Sequence, residues 1–216
     1  MQDFTDGRLA ARIAARNAPE NVRTRLTLRF SLCYFTMFVA GMLLWRFTSL
    51  SSLPALTPYI AKVFSDPFAG CTLAREMIRE VLRAARWDVV ALGLISVSGL
   101  TYFSTAASDA ILIAAALRFG VCASGLIQAV AGGAGSMAHS RLAFFVYFFA
   151  QLCIAGILLA MAADAVVFSY DYRDACRSLR SGRDGLAVAY FLRTVSLIGA
   201  MILVHAAYAM ILHALQ

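Results

Sequence analysis

Lysine is almost absent from this 216-residue chain: Lys62 is the only one, and arginine supplies the rest of the nineteen basic residues. Charge of either sign is scarce too, at 14% of residues against about 25% in a soluble domain. That deficit excludes a water-facing surface of ordinary size. The five cysteines, Cys33, Cys71, Cys122, Cys153 and Cys176, form no CxxC and no Cys/His spacing. Neither a disulfide framework nor a zinc centre is therefore implied. GxSxG, HExxH and a P-loop are all missing, as is a soluble segment large enough for an ordinary active site. These absences predict a protein that is not an enzyme, with no catalytic residues, no metal and no cofactor. There is no internal repeat of the kind found in secondary transporters. A short apolar run at the extreme N-terminus is also lacking, which predicts a retained signal-anchor helix over a cleaved signal peptide.

What the chain has instead is hydrophobicity, at 61% of residues. That is more than one soluble core absorbs, and it predicts an integral membrane protein. The net charge of +7 then finds its counter-charge in lipid headgroups, and no nucleic-acid partner is expected. The pattern predicts an all-α fold, a polytopic transmembrane bundle of about five spans with amphipathic interfacial helices. Residues 1–29 form a basic tail in which Arg8, Arg12 and Arg16 line one helical stripe beside Leu9 and Ile13. Residues 30–216 form the bundle, with spans at about 30–45, 87–103, 110–131, 142–164 and 186–213. The split between the second and third spans is placed at the polar "STAASD", Ser104–Asp109.

An outer amphipathic segment, 46–86, connects the first two spans. Within it Leu73, Met77 and Val81 repeat at i, i+4, with Arg75, Glu76, Arg79, Glu80 and Arg83 on the other side. This assigns Met77 and Val81 to a partner-contact face. The tail holds six arginines and the Asp171–Gly185 loop four, and a five-span path puts both on one side. The positive-inside rule makes that side cytoplasmic, so the expected location is the cell membrane with the N-terminus inside.

Arg118 stands in "AAALRFGVCASGLIQAV", Ala114–Val130, a stretch otherwise suited to lipid. An arginine at a helix centre costs about 2.5–3.5 kcal/mol on insertion scales, so it must face protein or reach a surface. Ala116, Gly120 and Ser124 share one face as small-xxx-small, while Gly125 lies on the Arg118 side. Both sides of this helix thus read as helix-packing or partner-contact surface, and self-association is compatible with them. Asp164 and Arg193 fall at similar depth on adjacent antiparallel spans and form a candidate intramembrane charge pair. Gln128, Gln151 and His205 are expected to make hydrogen bonds between helices.

The stretch "LISVSGLTYFSTAASDAILIAAALRFGVCASG" carries a resemblance. Gly99, then an apolar run, then Arg118–Phe119–Gly120 and Gly125, together with the layout of residues 25–214, resemble the family of stage II sporulation protein M. The resemblance implies a non-enzymatic membrane scaffold. Such a scaffold recruits or anchors the peptidoglycan-degrading stage II sporulation proteins D and P during forespore engulfment. The competing reading from the residues alone is a small permease or transporter subunit with Arg118, Asp164 and Arg193 lining a polar path.

Overall fold

The computed structural model describes residues 3–47, 65–131, 137–177 and 183–215, and among these every regular element is a helix. They are α1 (Asp3–Phe47), α2 (Ala74–Ser98), α3 (Ser104–Ala131), α4 (Met137–Arg177) and α5 (Arg183–Ala214). Four carry windows long and apolar enough to cross a bilayer: Val22–Phe47, Ser104–Ala131, Arg141–Asp174 and Gly185–Ala214. Such helices make this a membrane protein. α2 is not among the four.

Contacts between neighbours fix the helix directions. α1 and α3 run parallel, since Arg29 meets Asp109 at one end and Trp45 Nε1 donates to Gln128 Oε1 (2.9 Å) at the other. α3 and α4 are antiparallel, with Phe119 beside Tyr147 and Thr101 beside Ser169. α2 and α5 are antiparallel as well, joined at Ser96–Thr194 and at Asp88–His205. The five helices therefore alternate in direction. Phe30, Leu92, Ile95, Leu112, Leu126, Leu158, Met161 and Met201 are fully buried between them.

The closest approach is between α1 and α3. A methyl group added at Gly120 would fall on the Phe38 carbonyl, and one at Gly41 would sit 2.5 Å from the Leu117 carbonyl. Only the missing side chains let the two backbones touch. Phe38 packs its ring at a tilt against Phe119 (4.7 Å) just beside this contact. Ala116 and Gly120 are buried on this helix, Gly125 is buried too, and Ser124 is half-buried.

Three boundaries differ from the sequence reading. First, α2 runs unbroken through Arg86–Trp87, where an outer segment 46–86 and a span 87–103 would meet. Val81, Ala85, Asp88, Leu92, Ile95 and Ser98 form one continuous inward stripe. Only the outer face changes character at Trp87, from charged to apolar. Second, Ser104–Asp109 is not the link but the start of α3, and Ser104 and Ser108 are buried. The bend is Gly99–Phe103. There Ser98 Oγ and Thr101 Oγ1 donate to the carbonyls of Ile95 and Ser98, adding side-chain bonds to acceptors that also take backbone N–H groups. Third, α1 begins at Asp3, so the basic tail 1–29 and the first span are one helix.

α2 starts where it does because Glu76 Oε2 accepts the backbone N–H groups of Thr72 (3.0 Å) and Leu73 (3.3 Å). Those bonds, Thr72 first, hold the Glu76 carboxyl below its ordinary range. Ahead of it, Asp66 accepts the Phe68 N–H (2.9 Å) in a tight turn whose Gly70 has φ 82°, a conformation that favours glycine. Asp66 also meets His213 Nδ1 at 3.0 Å, tying this turn to the end of α5. The Phe68 N–H, and after it His213, lower the Asp66 pKa. A lowered folded pKa means the stabilisation is present above the unfolded value and is lost as pH falls through the folded one. The protection of the Phe68 amide, its exchange rate relative to the unstructured rate at the same pH, should therefore fall as pH drops below the ordinary 3.8. The Asp66→Asn variant should lack that acid-dependent step; an unchanged profile would refute the role of the carboxylate.

Candidate functional site

A buried carboxylate of α2 joins three helices. Asp88 lies on the inward stripe of α2, 4% exposed. Arg118 Nη2 of α3 donates to its Oδ1, and His205 Nε2 of α5 lies 3.0 Å from its Oδ2. Arg118 is 39% exposed and His205 7%. Tyr34 of α1 is buried within the electrostatic field of both Asp88 and Arg118. Arg118 stands near the middle of the 28-residue α3. The cluster therefore sits in the central layer of the bundle, where an ion without a partner is most costly. Asp88 answers the cost raised by Arg118, and its second oxygen is taken up by His205.

A second cluster lies toward one end. Arg23 Nη2 of α1 meets Asp164 Oδ1 at 2.8 Å, and Arg193 Nε of α5 lies against Asp164 Oδ2. Oδ2 thus has a charge partner but no aligned hydrogen-bond donor. Arg29 and Asp109 pair at 2.5 Å nearby. Ser96 Oγ and Thr194 Oγ1 share a hydrogen bond (2.9 Å), and the Tyr190 hydroxyl donates to the Ser96 carbonyl (2.8 Å).

An apolar layer separates the clusters on each of four helices. On α2, Leu92 and Ile95 lie between Asp88 and Ser98. On α3, Leu112 and Ala116 lie between Asp109 and Arg118. Met201 stands between Thr194 and His205 on α5, and Leu158 and Met161 precede Asp164 on α4. All seven are at most 1% exposed. Among the described residues, no three His, Cys, Asp or Glu side chains converge as a metal site would need.

Asp164 and Arg193 are brought together, whereas Arg118 lies apart from them across this layer. Met77 and Val81 do not face outward. Val81 is buried with Phe68 and Ala209, and Met77 packs at the margin of that cluster. The Met77–Val81 stripe of the amphipathic segment is covered by α5 of the same chain, while Leu73, Ile78 and Leu82 are exposed. Among the ionic residues of the two clusters, sequence reasoning missed Asp88, Arg23 and the Arg29–Asp109 pair. For Asp88 a signal existed: it occupies a core position in the stripe Val81, Ala85, Asp88, Leu92, Ile95. For Arg23 there was none, because it lies among six arginines of similar spacing.

No protein-family profile, curated protein or solved structure matches the chain.

Proposed function

We propose that the chain is a non-enzymatic membrane scaffold that crosses the bilayer five times and holds peptidoglycan-degrading proteins of the cell envelope. In this reading it plays the part of a stage II sporulation protein M during forespore engulfment. The N-terminus is cytoplasmic, on the side that carries Arg23, Arg29 and Arg173. The observation that supports it is the apolar layer of Leu92, Ile95, Leu112, Ala116, Leu158, Met161 and Met201 between the two ionic clusters. A permease needs polar groups in series across the membrane. Here Arg118 is separated from Asp164 and Arg193 by two to three turns of fully buried apolar side chains, and each ion has a partner on another helix. Such pairs set helix register and add little net stability. They suit a rigid platform better than a path.

The test is affinity purification of the tagged full chain from its own membranes during engulfment. Glycan-strand-cleaving or peptide-cleaving activity should co-elute with it. The purified chain in liposomes should carry neither proton nor solute flux. Flux that disappears in Arg118→Ala, with no co-eluting activity, would replace the scaffold by the permease.

A further inference from the structure

The outer face of the first half of α2 is charged at a depth where its neighbours are made for lipid. Arg193 and His213 are about 30 Å apart along α5 at about 1.5 Å per residue. That matches the roughly 30 Å of a bilayer's hydrocarbon core and places His205 near its middle. α2 runs beside the second half of this stretch. Asp88 meets His205, Val81 packs with Ala209, and the turn before α2 meets His213 through Asp66. Arg79, Arg83 and Arg86 therefore lie between the membrane's middle and one edge, and all three are exposed.

At those levels α4 and α5 expose Phe145, Phe149 and Met210 to the surroundings. On α2 the same layer exposes Ile78, Leu82 and Trp87 interleaved with the arginines. Within the helix, Arg83 pairs with Glu80, and Arg86 lies 5.1 Å from the Trp87 ring centroid. Lipid is a poor cover for this face, because each arginine in the hydrocarbon costs up to about 2.5–3.5 kcal/mol on insertion scales. A second copy is no better. A twofold axis along the membrane normal would set α2 parallel to its twin, with Arg83 facing Arg83 and Arg86 facing Arg86. What complements the face is apolar surface carrying negative charge at matching depth.

We infer that the outer face of α2, centred on Leu82 and bounded by Arg79, Arg83 and Arg86, receives a membrane-embedded helix of a different protein that bears acidic side chains. This rests on the scaffold reading and gives that scaffold a docking face and a partner chemistry.

The experiment places a photoreactive residue at Leu82 of the full chain in phosphatidylcholine vesicles. Two synthetic transmembrane peptides serve as probes, identical except for two Glu or two Gln one helical turn apart in one leaflet. The Glu peptide should crosslink at least tenfold more than the Gln peptide. The Arg83→Gln/Arg86→Gln variant should remove the preference while leaving thermal unfolding of the bundle unchanged. Equal yields from the two peptides would overturn the inference. So would adducts confined to lipid, to a second copy or to residues 48–64 of the same chain. If those results appear while envelope enzymes still co-purify with the chain, the docking face is wrong and the scaffold stands. If no enzyme co-purifies but the Glu preference holds, the scaffold reading fails and the face survives as an acidic-helix receptor.

Discussion

Asp88→Ala should destabilise the bundle by about 3–5 kcal/mol, the range for breaking one side of a buried ion pair. The loss is large because the carboxylate serves two partners on two helices. Its removal takes the carboxylate from Arg118 at the centre of α3 and the hydrogen-bond partner from His205 at the same stroke. The measurement is denaturant titration in detergent micelles, followed by circular dichroism. Asp88→Leu combined with Arg118→Met should recover much of the loss, since removing both ions is cheaper than removing one. A single Asp88→Ala variant as stable as the parent would show that the cluster is solvated and holds nothing together.

Gly120→Leu should be nearly as damaging by an unrelated route. Even a single added carbon falls on the Phe38 carbonyl, which is backbone and cannot rotate away. α1 and α3 must then move apart, and the interlocking of Phe38 with Phe119 is lost with the contact. Overpacking costs about 1–3 kcal/mol where side chains can yield, and the upper end or more is expected where backbone must move. Trp45 offers a readout, because its indole is buried against Gln128 of α3. Its emission should shift to the red as the helices part, with Trp87→Phe as the background to silence the second tryptophan. Gly41→Leu should add little on top of Gly120→Leu, because both open one interface. Full additivity would mean that the two glycines serve separate contacts.

The sequence makes the class of fold plain because hydrophobicity is a sum, and sums over twenty-residue windows are robust. It also marks Gly120 and Asp164 with Arg193, since small residues four apart and lone charges in apolar runs are visible without a partner. Asp88 is a different matter. Its neighbours Arg86 and Trp87 look like an interface, so the carboxylate reads as an edge residue until the inward stripe of α2 is traced through it. The same boundary misleads on Met77 and Val81. An amphipathic helix announces that its apolar side is covered, but periodicity does not say whether by another protein or by α5. The polar run Ser104–Asp109 reads as a turn because hydroxyl-rich segments usually are one. In the bundle Ser104 and Ser108 are taken inside, and the bend falls at the five residues before them.

The shared carboxylate also has a history in time. Asp88 and His205 are 117 residues apart in the chain, while Asp88 and Arg118 are 30 apart. At about 5–20 residues per second of synthesis, Arg118 follows Asp88 within about 2–6 s, and His205 arrives only after about 6–23 s. During that interval α2, the one described helix without a window long and apolar enough to span, has one of its two ionic tethers. Completion of α5 supplies the other, along with Ala209 and His213 farther down. α5 is thus the helix that seats α2, and the order of translation is written into the geometry of a single side chain.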